Sequence, residues 1–168
     1  DALRLSGYYF KDRGQKIHAG PIWDFDRALG SDDGRDSNPT SWSNIEYFFN
    51  RDWWGALFRD PDFVQAWVDR WAELRQKTLS QANLNSLADR MGAEIGNAAG
   101  ARDAAKWPDN TARGGVFLNE VADMKSWLNS RMTWINNQIP AAPTASLATG
   151  TIASGTPVTL TGAGTLRY

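Results

Sequence analysis

Residues 16–30 read KIHAGPIWDFDRALG. A basic, half-apolar run reaches Pro-Ile-Trp and then sets Asp24 and Asp26 on either side of Phe25. A loop follows, GSDDGRDSNPTSWSN (30–44), whose Gly, Asp, Ser, Asn and Pro each favour turns for a local reason. Upstream lies LSGYYFK (5–11), rich in aromatic residues. It is joined to KIHAGPIWDF (16–25) by DRGQ, with Gly14 at the turn. Two such runs with a Gly-bearing connection predict a β-hairpin over 5–25. Pro21 lacks an N–H and ends the regular pairing.

The two aspartates admit three readings. They are solvated loop acids or a helix cap. Alternatively, with Asp32, Asp33 and Asp36, they form an oxygen-rich calcium loop. That loop would not be an EF-hand, which needs alternating acids, a central Gly and a closing Glu. The third reading is a magnesium site for phosphoryl transfer, in which a strand end delivers an aspartate to metal-bound phosphates. A partner acid favours the third. Protein kinases carry D-x-x-x-x-N in the catalytic loop, and a later Asp binds metal. Asp1 stands in the place of that first Asp, Ser6 in the place of the Asn, and Asp24 in the place of the metal aspartate.

Beyond the loop the pattern turns helical. NIEYFFNRDWWGALFRD (44–60) suggests one or two short helices. Asp60-Pro61 is a helix start, an N-cap acid followed by Pro in the first turn. Phe63, Trp67, Trp71, Leu74 and Thr78 then recur at helical spacing to about Leu79. A second helix is predicted from Asn83 with Leu84, Leu87, Met91, Ile95 and Ala98 on its buried stripe. Gly92, Gly96 and Gly100 either weaken it or admit a close neighbour. KWPDNTARGG (106–115) breaks it. A last helix carries Phe117, Val121, Met124, Leu128 and Ile135 and ends before Pro140. From there the charge disappears and Ala, Thr, Gly and Pro dominate. Residues 140–150 read as a linker. Residues 151–168, with PVTLT and GTLRY as strands, read as the start of a truncated β-sandwich-like module.

The chain resembles the CotH kinase family, named for spore-coat protein H. The resemblance rests on DALRLSGYYFKDRGQKIHAGPIWDFDRALG (1–30), with its leading Asp, aromatic hairpin and P-x-W-D-F-D run. FVQAWVDRWAELR, RDAAKW and FLNEVADMKSWLNSRMTWI resemble the family's C-terminal helices, so the likeness covers about 1–139. It implies a mainly α (α+β) chain: the helical lower lobe of a protein-kinase-like fold, with an N-terminal hairpin and a C-terminal β stub. It implies a protein serine kinase that uses ATP and Mg²⁺ or another divalent ion. Its substrates would be spore-coat or surface proteins, and its location extracellular, at the cell surface or in the spore coat. By matching positions the resemblance implies Asp1 as the catalytic acid, Asp24 as a metal ligand, Asp26 as a further ligand or a residue just behind the ligands, and Ser6 at the remaining metal position. Ser6 stands where the family commonly has Asn. No Gly-rich phosphate loop and no strand Lys with a Glu partner precedes Asp1. The stretch is therefore expected to be the C-terminal part of a longer kinase domain, inactive alone.

Two other function classes are carried: a non-catalytic surface protein whose acids bind calcium, and a carbohydrate-binding module using Trp faces. Nine Trp is high for 168 residues, but helical spacing at Trp67 and Trp71 points to packing. His18 is the single histidine and reads as a structural or surface residue. Arg131 falls on the apolar stripe of the last helix. A charge there needs a partner, so it predicts an Arg–carboxylate bridge or, functionally, a phosphate contact. Arg102 is read the same way. Lys106 could stack on Trp107. A net charge of −1 gives no electrostatic case for nucleic acid or an anionic membrane. No apolar run is long enough to span a bilayer. The absence of Cys rules out disulfides and thiolate metal sites.

Overall fold

Tyr9–Phe10 (β1) and His18–Ala19 (β2) pair antiparallel, with Tyr9 opposite Ala19 and Phe10 opposite His18. This is the predicted hairpin. Its turn closes through a hydrogen bond from the Gln15 N–H to the Asp12 carbonyl, 3.0 Å, and Gly14 adopts φ +76 there. The architecture comes from a computed structural model that describes residues 5–26, 28–30, 37–42, 49–50, 52–108, 116–139 and 143–162. Among these residues the fold is mainly helical, with two two-stranded ribbons.

A single turn, α1 (Trp54–Leu57), precedes α2 (Pro61–Gln76). The predicted start of α2 is present: the Asp60 carboxylate accepts from the Asp62 N–H at 2.9 Å, and Pro61 opens the helix. α2 ends at Gln76, slightly before the expected Leu79. Ser80 then caps α3 (Gln81–Lys106), its hydroxyl accepting from the Asn83 N–H. The last helix, α4 (Phe117–Gln138), ends before Pro140 as predicted. Three apolar side chains are most buried among the described residues: Ala88 of α3, and Leu128 and Ile135 of α4.

The face that α3 buries differs from the expected one. Leu87, Met91 and Ile95 are exposed, Met91 and Ile95 by more than half. The buried stripe is small: Ala88 and Gly92, continued by Gly100. A Cβ built on Gly100 would lie 2.5 Å from the Phe117 Cβ, and one on Gly92 would lie 3.3 Å from a Val121 methyl. The glycines thus do admit a close neighbour, and that closeness turns the larger residues outward. Lys125 bridges Asp89 at 2.6 Å on the rim of the same contact. Rising numbers on α3 meet falling numbers on α4, so the helices run antiparallel. At Gly96 the backbone leaves the helical region, φ +73, and α3 bends.

A second cluster is aromatic. Phe58 packs edge-on against Phe49, Phe63 and Trp67. Trp42 bridges Phe49 to Trp134 of α4 at 5.2 and 4.9 Å between ring centroids. The Trp71 indole N–H donates to the Asn136 side-chain oxygen at 2.9 Å, joining α2 to α4. Trp67 and Trp71 are half-buried, as their spacing predicts.

Near the C-terminal end, Thr144–Ala145 (β3) pairs antiparallel with Leu160–Thr161 (β4). β4 falls within the predicted PVTLT strand. Its partner comes instead from the stretch read as linker. The second predicted strand, GTLRY, lies outside the described residues.

Candidate active site

The ladder returns the chain on itself, so residues before Tyr8 and after Gly20 share the hairpin's open end. The Gly20 N–H donates to the Tyr8 carbonyl at 2.9 Å and extends the pairing by one step. Beyond it the Gly20–Pro21 peptide is cis, and regular pairing stops where Pro21 was expected to stop it. Tyr8 and Trp23 then meet edge to face at 6.4 Å. One is two residues after Ser6 and the other immediately precedes Asp24.

Ser6 is 4% exposed, the one buried polar residue among the described residues. Its hydroxyl has no hydrogen-bond partner there. A buried hydroxyl without a partner costs about 1–3 kcal/mol, so one at a candidate site calls for an explanation. Asp24 occupies the left-handed region, φ +63. Asp tolerates this conformation better than most residues, because its short side chain can bond locally. Such conformations concentrate at functional sites. The turn then tightens: the Ala28 N–H donates to the Phe25 carbonyl at 3.1 Å, and Leu29 and Gly30 also take positive φ. Asp24 and Asp26 are both solvent-exposed. The sequence identified the acids, but nothing in it signalled the left-handed Asp24 or the burial of Ser6.

The exposed carboxylates of Asp24 and Asp26 are oxygen donors of the kind a hard cation such as Mg²⁺ takes, whereas the Ser6 hydroxyl is buried. Asp1, the expected catalytic acid, lies outside the described residues, as do Asp32, Asp33 and Asp36 of the calcium reading. Among the described residues no three His, Cys, Asp or Glu side chains converge as a metal cluster. The candidate donor set is thus two carboxylates and a hydroxyl.

Aromatic rings back the hairpin. Tyr9 meets Trp53 and Trp54 at 5.7 and 6.2 Å, and those two indoles stack on each other at 4.2 Å. His18 stacks on its cross-strand partner Phe10, centroids 5.1 Å apart, which is the structural role read for it. Lys106 lies over the Trp107 ring at 5.2 Å. Arg102 is exposed, so it is not the buried charge its stripe suggested.

Arg131 is half-buried, as expected, but its partner is not a carboxylate among the described residues. Its guanidinium donates to the Pro39 carbonyl at 3.1 Å and to the Ser41 carbonyl. It also lies over the rings of Trp42 and Trp134, 5.2 and 5.1 Å from their centroids. Burial lowers its pKa from the ordinary guanidinium value. Carbonyl oxygens and indole faces can satisfy a partly desolvated guanidinium without a counter-ion.

A family model described as CotH kinase protein matches residues 1–135. The match runs from the expected catalytic acid through the hairpin and nearly to the end of α4. No curated protein and no solved structure matches the chain. No helix among the described residues is long and apolar enough to cross a membrane.

Proposed function

We propose, from the premise that the chain belongs to the CotH kinase family, that it is part of an atypical protein kinase carrying the γ-phosphoryl group of ATP to Ser of a protein substrate. The observation that carries this reading is the 1–135 match, which takes in both the acid-bearing hairpin and the helices behind it. In this reading the Asp1 carboxylate accepts the proton of the substrate Ser hydroxyl as that oxygen bonds to phosphorus and ADP leaves. Asp24, Asp26 and Ser6 would hold the divalent ion, which would neutralise charge on the phosphate oxygens. Asp24 would be the principal ligand, because it stands in the metal-aspartate position of the W-D-F-D run.

The domain division is part of the same proposal. Residues 1–139 form the C-terminal part of the kinase-like domain, 140–150 a connection that lends β3, and 151–168 the beginning of a β module. Extracellular, cell-surface or spore-coat placement and surface-protein substrates follow from the family's association with the spore coat. The β module is the candidate for surface or carbohydrate association.

The deciding experiment gives the full-length protein γ-labelled ATP and a Ser-containing protein mixture. Wild type is expected to transfer label in a Mg²⁺-dependent manner. Asp24→Asn keeps size and most hydrogen bonding but removes the charge, and is expected to abolish transfer without loss of folding. Asp26→Asn is expected to do less. Label transfer at near wild-type rate in Asp24→Asn sinks this site.

A further inference from the structure

The two arms of the N-terminal hairpin lose their backbone ties after Gly20. The Gly20 N–H still reaches the Tyr8 carbonyl, but the next residue, Pro21, has no N–H to offer. Among the described residues, the next tie between the arms is the edge-to-face contact of Tyr8 with Trp23. The arm that carries Tyr8 is anchored on both sides of it. Ser6 is buried, and Tyr9 packs against Trp53 and Trp54. Successive side chains of an extended arm point to opposite faces, so Tyr9 takes the two indoles and Tyr8 is left to meet Trp23. The other arm has less support, since every residue from Pro21 to Asp26 is exposed.

We propose that Tyr8 is a positioning residue for the candidate metal ligand Asp24, acting through Trp23. The proposal rests on the metal-site reading given above. Every residue from Ser6 to Asp24 is described, and a single peptide joins Trp23 to Asp24. Asp24 holds φ +63, in the small left-handed region that leaves its backbone little room to adjust. The direction of its carboxylate therefore follows the placement of the peptide before it. Resting the Trp23 ring on Tyr8 fixes that peptide relative to the anchored arm. An edge-to-face pair is held by ring quadrupoles and apolar area, so the contact needs the ring of Tyr8 and not its hydroxyl.

The test is Mn²⁺ binding by the full-length protein, read from the free Mn²⁺ signal in electron paramagnetic resonance, with a thermal melt for each variant. An aromatic pair of this kind is equivalent to about 2- to 12-fold in an equilibrium constant. Tyr8→Ala is therefore expected to weaken Mn²⁺ binding by about 3- to 10-fold with the number of sites unchanged, and Tyr8→Phe to bind as wild type does. Trp23→Ala is expected to match Tyr8→Ala, and it carries the test if Tyr8→Ala fails to fold. The double variant is expected to bind no more weakly than either single, because both remove one contact. Losses that multiply in the double variant mean that the rings act separately, and they overturn the proposal. Phe10→Ala breaks a ring contact within the same ribbon, the stack on His18, and is expected to leave Mn²⁺ affinity unchanged. Equal weakening by Phe10→Ala reduces the effect to hairpin stability and also overturns the proposal. If Asp24→Asn loses the site while Tyr8→Ala and Trp23→Ala bind as wild type does, the role of Tyr8 is overturned and the metal site stands. If Asp24→Asn binds as wild type does, the metal site falls and the role of Tyr8 falls with it.

Discussion

Substituting Gly100 by Ala opposes two effects whose sizes the structure allows to be compared. Ala in a helix interior is favoured over Gly by about 1 kcal/mol. Against this, the new Cβ stands 2.5 Å from the Phe117 Cβ and 2.5 Å from its Cγ. A Cβ is fixed to its backbone and cannot rotate away, so α3 and α4 must separate. Overpacking of this kind costs about 1–3 kcal/mol, and the hard contact places Gly100→Ala toward the upper end, for net destabilisation on the order of 1–2 kcal/mol. Gly92 provides the control. Its Cβ would meet a Val121 methyl at 3.3 Å, which a small shift relieves, so Gly92→Ala is expected to be neutral or stabilising by up to about 1 kcal/mol. Urea unfolding at constant m-value reads both. The double variant Gly100→Ala/Phe117→Ala removes the obstruction, and its loss is expected to fall short of the sum of the two singles. Gly100→Ala stabilising as much as Gly92→Ala, or a strictly additive double variant, refutes the close contact between these helices.

Asp60→Ala removes the acceptor of the Asp62 N–H and is expected to cost about 1 kcal/mol in the same unfolding assay. A change within error would mean that Pro61 alone starts α2. Glu73 is held below its ordinary carboxylate value of 4.5, by the Lys77 hydrogen bond first and Arg70 second. Its stabilising contribution is therefore present above that value and is lost as pH falls through the lower folded value. Since the Glu73 side chain is solvent-exposed, salt screens the effect. A Glu73 titration midpoint followed by NMR is expected below 4.5 and should rise toward it in Lys77→Met or in high salt. A midpoint unmoved by either change counts against the pair.

Local chemistry was readable in the sequence, and distant partners were not. The start of α2 was legible because Asp60 and Pro61 act within one turn. The hairpin was legible because its two aromatic runs and Gly14 form a short-range unit. The buried face of α3 was misread for a physical reason. Ranking by hydrophobicity puts Leu87, Met91 and Ile95 inside, yet what a helix buries depends on how closely its neighbour approaches. That approach was set by Gly92 and Gly100, whose lack of a side chain carries no hydrophobic signal. Arg131 shows the same limit. Its burial followed from its place on the stripe, but its partners are carbonyls about 90 residues away, and no pattern encodes carbonyls. At the candidate site, Asp24 and Asp26 stood out by composition. The left-handed backbone at Asp24 and the unpartnered hydroxyl of Ser6 arise only once the turn is built. The family model reached the same stretch through the whole run of residues 1–135.

The contact between α3 and α4 also fixes how these helices can move. Haemoglobin-type ratchets shift one element past another by a helical turn. Here such a step would carry the Phe117 ring from Gly100 to Gly96 or to Ala104. At Gly96 the backbone has left the helical path, so the socket is misshapen. Ala104 has the Cβ that Gly100 must lack. Neither position accepts the ring, and the pair has a single engaged setting. α3 and α4 therefore keep one register along this contact, with Trp127 and Arg131 carried on α4.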